Sequence, residues 1–167
     1  MALDIVILSV LRGSPMHGYE LKRRVQRTSL TSLSNNSLYP ILRRFEAGGA
    51  VTKAVEQQDG KPARNVYTIT ELGREHFIEL ISTLPAALAA SEEEFTVRVS
   101  FFHELTPTQR RAILAARAAV LDEGIAQVEA LRQESSKPWR TLAMTHVIDQ
   151  RAAERRWIDH LTAKADE

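Results

Sequence analysis

Leu38, Ile41, Leu42 and Phe45 recur at i, i+3, i+4 and i+7, the spacing of one apolar helical stripe. At about 100° per residue, Asn36, Pro40 and Arg43 fall on the opposite side, flanked by Ser37, Tyr39 and Arg44. The pattern predicts a helix within residues 35–49. Asn35, Asn36 and Ser37 can each cap its start. Pro40 falls in or just after the first turn, where a missing N–H matters least. Gly48 and Gly49 supply a left-handed stop. Two readings fit this stretch alone: a recognition helix for the DNA major groove, and an ordinary surface helix carrying two arginines. The flanking pattern decides between them.

Upstream, residues 3–11 are almost continuously apolar, and Gly13 with Pro15 ends them, which predicts a helix. Asp4 near its start suits the helix dipole. Residues 15–27 predict a second helix, with Leu21 and Val25 inward and Lys22, Arg23, Arg24 and Arg27 on the remaining surface. A hydroxyl-rich link, 28–34, follows, with Leu30 and Leu33 as core anchors. Downstream, Ala50 to Glu56 and Arg64 to Thr70 predict two strands, joined through Asp59-Gly60, a hairpin signal. Lys61 sits at the tip and Arg64 beside it. Three helices followed by a hairpin with a basic tip is the order of a winged helix.

Thr70 caps a helix over 71–84 with Phe77, Leu80, Ile81 and Leu84 inward. Pro85 and the alanine-rich 86–90 read as a boundary. Ser91 and Glu94 form a capping-box pattern. Phe95, Val97, Val99 and Phe101 alternate with polar residues as in a strand. The cap and three leading glutamates favour helix here. Thr106-Pro107-Thr108-Gln109 is a strong helix start, and the helix it opens runs to about Glu134. Leu114, Ala118, Leu121, Ile125 and Val128 make a 4-3-4-3 seam suited to a coiled-coil contact. After Ser135-Ser136-Lys137-Pro138 a last helix, about 138–164, carries Trp139, Leu142, Ile148, Ile158 and Leu161. Two long antiparallel helices predict a dimerisation arm, with an intramolecular hairpin as the alternative.

Composition narrows the function classes. The 167 residues contain no cysteine, which excludes disulfides and thiolate metal sites. No apolar run approaches the ~18 residues of a membrane span. No basic segment precedes the first apolar run, so a cytoplasmic protein without a signal peptide is expected. Net charge is +1, but residues 1–70 hold 10 Lys+Arg against 5 Asp+Glu. A basic N-terminal half beside an acidic remainder points to a polyanion-binding module joined to a module of another role. The motifs of hydrolases, zinc proteases, phosphate-binding loops and dinucleotide sites are missing, and the five histidines lack metal spacing. The expectation is therefore no enzyme, no cofactor and no metal.

The chemistry expected of the exposed face follows from residue type. Arg43 suits a bidentate contact to guanine. Asn36 can pair with adenine or bond a phosphate, and Asn35, Ser37, Tyr39 and Arg44 complete the face. Lys61 and Arg64 would add salt-dependent affinity. His17 and Tyr19, at the start of the second helix, lie at a natural phosphate position, although Tyr19 suits core packing equally well.

Three segments, M-H-G-Y-E-L (16–21), N-S-L-Y-P-I-L-R-R-F-E (36–46) and G-K-P-A-R-N-V-Y-T-I-T-E-L-G (60–73), occur in an order that resembles the PadR family of bacterial transcriptional regulators. Asn36 stands where the family usually has Gly, Phe45 where Leu is usual, and Ala50 where Leu is commoner. The resemblance covers 1–84 closely and the C-terminus by architecture, as in the longer subgroup. It implies a mainly α fold with a small β-wing: a winged helix-turn-helix DNA-binding domain, 1–84, and a helical dimerisation and effector domain, 85–167. It implies a homodimeric repressor on a pseudo-palindromic double-stranded operator, often released by a small aromatic effector. By family analogy that effector would sit between winged helix and C-terminal helices, where His17, His103, Trp139 and His146 are the expected contacts. The competing readings are a winged helix used for protein contacts and a MarR-like or activating regulator without ligand control.

Overall fold

The computed structural model describes residues 1–28, 37–58 and 61–166, the side chains of 58 and 61–63 apart. The chain is mainly helical with one small antiparallel sheet and two long C-terminal helices. Contacts group it into two compact units, Met1–Ser82 with Thr96–Phe101, and Thr83–Phe95 with Phe102–Glu167.

In the first unit, α1 (Ala2–Gly13) is buried on nearly every side, through Ile5, Val6, Ile7, Leu8 and Leu11. An all-round buried helix needs no polar face, which explains its unbroken apolar run. The expected helix over 15–27 is shorter: α2 spans Gly18–Arg27, and Met16–His17 form a strand, β1. Two residues are too few to display a period of two, so the strand left no pattern in the sequence. α3 (Leu38–Ala47) has Ser37 as N-cap and buries Leu38, Leu42 and Phe45, with Ile41 half-buried. The 28–34 link, with Leu30 and Leu33, lies outside the described residues apart from Thr28, as do Asn35 and Asn36. At the other end Gly49 takes φ +73, the left-handed conformation expected of the glycine pair.

β2 (Val51–Gln58) and β3 (Lys61–Ile69) pair antiparallel, from Val51 opposite Ile69 to Glu56 opposite Arg64. A bulge lies between Glu56 and Gln58. The Asp59-Gly60 turn falls outside the described residues. β1 adds to the other edge of β3, Met16 opposite Tyr67 and His17 opposite Val66, giving the order β1-β3-β2.

One backbone joint ties α3, the sheet and α4 (Glu71–Ser82) together. The Ala50 N–H donates to Phe45 O at 2.9 Å, and the Thr70 N–H donates to Ala50 O at 3.0 Å. Thr70 Oγ1 donates to Gly49 O at 2.7 Å and accepts from the Gly73 N–H at 3.1 Å, the expected cap. A Cβ on Gly73 would lie 2.1 Å from Ala50 O, so only glycine fits there. Phe77 of α4 meets Phe101 edge-on at 5.1 Å, and the Arg12 guanidinium lies 4.3 Å from its ring centre.

The alanine-rich 86–90, read as a boundary in the sequence, contains a short helix, α5 (Ala86–Ala89). α6 (Glu92–Val99) is helical as the cap predicts, the Glu94 N–H donating to Ser91 Oγ at 3.3 Å. Its strand-like alternation has a physical origin: Glu94, Phe95, Val97 and Arg98 are all buried, so no single polar face survives. A 3₁₀ turn, Phe102–Glu104, leads to α7 (Pro107–Gln133), whose capping box is complete between Thr106 and Gln109. α8 (Pro138–Ala163) packs antiparallel along α7. Gly124 leaves α7 continuous, and its carbonyl accepts a 2.5 Å bond from Arg151 Nη1.

In the second unit Arg117 is buried. Its Nε and Nη2 each donate at 2.8 Å to the Glu154 carboxylate on α8, and Nη1 donates to Ala89 O at 2.8 Å. Phe95 meets Trp157 edge-on at 5.8 Å. Of the 4-3-4-3 seam, Leu114 and Leu121 are buried, while Ala118, Ile125 and Val128 are half-buried. Among the described residues no helix is long and apolar enough to cross a membrane.

Candidate nucleic-acid interface

The outward side of α3 carries Tyr39, Pro40, Arg43 and Arg44, all exposed, with Ser37 half-buried at its start. The two arginines differ in their surroundings. Arg44 Nη2 donates to Asp4 Oδ1 at 2.5 Å, and its guanidinium lies 5.5 Å from the centre of the Phe45 ring. Arg43 has no ion-pair partner among the described residues. A guanidinium held by a buried carboxylate is partly neutralised, whereas an unpaired one on the same helix is available to a ligand. Other cations of this unit divide the same way. Arg24 is paired with Glu20 at 2.6 Å and Lys53 with Glu46 at 3.6 Å. Arg23 and Arg64 are exposed and make no ion pair among the described residues.

An open cleft of about 550 Å³ lies where α2, α3 and β3 meet, lined by His17, Gly18, Tyr19, Glu20, Arg23, Tyr39, Arg64, Asn65 and Tyr67. It brings together four residues named from the sequence, His17, Tyr19, Tyr39 and Arg64. Gly18 forms its floor. A Cβ there would stand 3.3 Å from a ring carbon of both Tyr39 and Tyr67, so the two rings close onto bare backbone. Tyr19 is 75% exposed, which removes the core-packing alternative for it. Tyr67 is buried, and burial pushes its phenol above the ordinary range, with Tyr39 and Glu46 reinforcing the shift and Arg43 opposing it. At neutral pH it is an uncharged hydroxyl. His17 Nε2 lies 3.4 Å from Glu56 Oε2, and its Nδ1 is buried without a hydrogen-bond partner.

Sequence reasoning missed Arg23, Asn65 and Tyr67 as members of this group. Asn65 and Tyr67 lie two apart on β3, so period-two alternation was the available signal. Nothing local marks Arg23 out from its basic neighbours. Lys61 belongs to β3 by its backbone, but its side chain lies outside what is described, as do Asn35 and Asn36 entirely.

The expected effector contacts are spread along the chain. His17 lines the cleft above. His103 is exposed in the 3₁₀ turn, its Nε2 3.7 Å from Glu104. Trp139, 85% exposed, stands in the first turn of α8, and His146 is exposed two turns on. Two clefts of the second unit, one around Arg117 and Arg151 and one around Arg111 and Arg155, are lined by none of these three.

Residues 7–79 match the model of the transcriptional regulator PadR-like family. No curated protein matches the chain. Among solved structures, Bacillus subtilis PadR in complex with operator DNA is similar at 17% identity, over 99% of this chain and 100% of that one, with a TM-score of 0.48. A Streptococcus mutans protein is similar at 21% identity over 96% and 98% of the two chains, with a TM-score of 0.47. A transcriptional regulator from Clostridium thermocellum is similar at 26% identity over 46% of this chain and 75% of that one, with a TM-score of 0.40.

Proposed function

We propose, from the match of residues 7–79 to the transcriptional regulator PadR-like family, that the chain is a homodimeric repressor that binds a pseudo-palindromic DNA operator. The carrying observation is the contrast on α3: Arg43 is exposed and unpaired among the described residues, while its neighbour Arg44 is held by Asp4. In this reading residues 1–84 bind DNA and 85–167 dimerise. α3 enters the major groove with Arg43 reading guanine, flanked by Asn35, Asn36, Ser37 and Tyr39. Arg64 and Lys61 bring the wing to the backbone, and His17 and Tyr19 bring the start of α2 to a phosphate.

The dimer reading is supported by the surface of the arm. Leu131, Trp139 and Leu142 are exposed apolar residues on α7 and α8, where a lone hairpin would leave them in water. At about 1.5 Å per residue α7 is roughly 40 Å long, enough for a seam along a second copy. A two-fold dimer places its reading helices at half-sites about 34–36 Å apart, or a multiple of that. Release from DNA by a small aromatic ligand completes the reading.

A gel-shift with the DNA upstream of the chain's own gene, against a shuffled duplex, tests DNA recognition. Arg43→Ala is expected to weaken the specific complex and narrow its advantage over shuffled DNA. Full affinity and unchanged preference would overturn the assignment of α3. Sedimentation is expected to show twice the chain mass, and a stable monomer would refute the dimer.

A further inference from the structure

We propose that Lys53, on the wing strand β2, is a positioning residue for DNA recognition: by holding Glu46 it keeps the one carboxylate of α3 from neutralising Arg43. The inference rests on the role given to Arg43 above for its consequence on DNA, while the pairing itself is a property of the protein alone.

Tyr39, Arg43 and Glu46 are spaced i, i+4 and i+7 on α3, so they share one side of the helix. Glu46 is the sole acidic residue of that helix and lies one turn beyond Arg43. Opposite charges three apart on a helix are neighbours and attract one another. Arg43 nevertheless makes no ion pair among the described residues. Arg44, the other arginine of α3, is taken by Asp4 and does not relieve Arg43 of Glu46.

The explanation lies across the sheet. Lys53 stands opposite Tyr67 in the β2–β3 ladder, so the two side chains leave the same face. Val51 and Ile69, the pair two positions on along that face, are buried, as is Tyr67. From the margin of this face Lys53 Nζ reaches Glu46 Oε1 at 3.6 Å. The two side chains are 35% and 37% exposed, so the pair is less screened than one on the open surface. The Tyr67 phenol registers the same arrangement. Burial raises it most, Tyr39 and Glu46 raise it further, and Arg43 lowers it, so Glu46 and Arg43 both act on one oxygen. Glu46 thus stands between two cations, one on its own helix and one on the wing, and the wing lysine holds it.

Without Lys53, Glu46 turns to Arg43, and that pair must break before the guanidinium can meet a base. Affinity for the preferred duplex then falls with the fraction of Arg43 left free. A plain structural ion pair behaves differently. If Lys53 and Glu46 only braced helix against wing, removing either partner would have the same effect.

Competition gel-shifts of the full chain at low salt, with the upstream duplex against a shuffled one, read the preference as a ratio. Lys53→Met is expected to lower that ratio about twofold, and Lys53→Glu to lower it more, because it repels Glu46. Glu46→Gln is expected to keep or raise the ratio, and to make Lys53→Met harmless in the double variant. Melting temperatures verify folding of each variant. Equal losses from Lys53→Met and Glu46→Gln, no loss from Lys53→Met, or a loss that persists in the double variant, overturn the proposal. The side-chain Nε–H resonance of Arg43, assigned by its disappearance in Arg43→Lys, reads the pairing without DNA. It should shift in Lys53→Met, and the double variant should match Glu46→Gln alone. A resonance that Lys53→Met leaves in place overturns the pairing. The expected shift in a protein that treats both duplexes alike would keep the pairing and sink the DNA reading instead.

Discussion

Asp4, buried in α1, accepts a 2.5 Å hydrogen bond from Nη2 of Arg44, forty residues later on α3. The pair links the core to the outward helix, and it decides what each α3 arginine is free to do. The Asp4 side chain is 12% exposed and that of Arg44 61%, so most of the guanidinium remains in water. Removing the carboxylate charge therefore leaves no buried cation behind. Asp4→Asn is expected to lower stability by only about 1 kcal/mol. It also leaves Arg44 free to meet a phosphate, which should steepen the slope of log affinity against log salt by about 0.9. Urea melts and filter binding at several salt concentrations measure the two effects. An unchanged slope would show that the released Arg44 does not reach DNA.

Arg43 and Arg44 should respond oppositely to alanine. Arg43→Ala is expected to cost about 1–3 kcal/mol of discrimination between operator and altered base pairs, with little change in stability. Arg44→Ala should cost stability and leave sequence preference in place, because it strands Asp4 in a partly buried position. A panel of single-base operator variants, read beside thermal melts, separates the two.

Gly73→Ala should destabilise the first unit by about 2–3 kcal/mol or more. The added methyl would overlap Ala50 O at 2.1 Å and the Ile69 side chain at 2.7 Å, and a backbone oxygen cannot rotate away. The urea midpoint is expected to fall with its slope unchanged. A midpoint within error of wild type would mean that α4 can retreat from the sheet at no cost.

In the second unit, Arg117→Met should cost about 3–5 kcal/mol, because Glu154 would keep a charge in a largely buried place. Adding Glu154→Leu should recover much of the loss. A double variant no more stable than the single one would show that the bond from Arg117 to Ala89 O matters more than the ion pair.

Alkaline pH should expose Tyr67. Its folded pKa is raised above the ordinary 10.0, chiefly by burial. The uncharged phenol is thus the form that the fold favours. That contribution is fully present below about pH 10 and is lost as pH rises through the folded value. Relative to Tyr67→Phe, wild type should lose stability more steeply above about pH 10, and parallel curves would contradict the burial argument.

Much of this was legible in the sequence because it is local. The α3 stripe, the Thr70 cap and the Thr106–Gln109 box each spell out their own structure within a few residues. β1 was not legible, because Met16 and His17 become a strand only by pairing with Val66 and Tyr67, fifty residues away. The same holds for the cleft. Tyr19, Tyr39 and Tyr67 lie on three elements, and only packing over Gly18 makes them neighbours. The pairing of Arg44 with Asp4 was not legible either, since an ion pair spanning forty residues leaves no periodic trace.

The joint at Gly49, Ala50, Thr70 and Gly73 bears on how such a protein can change. The end of α3 and the root of the wing are bonded to the same few backbone atoms, with no side chain other than that of Thr70 in the linkage. The angle between helix and wing is thereby insulated from the residues that face outward. On the proposed DNA reading, exchanging Arg43 or Arg64 would alter what is recognised while the frame that presents them stays constant. In that reading, retargeting by substitution at these positions is open to selection and to the bench alike, whereas a change at Gly73 or Thr70 would disturb every contact together.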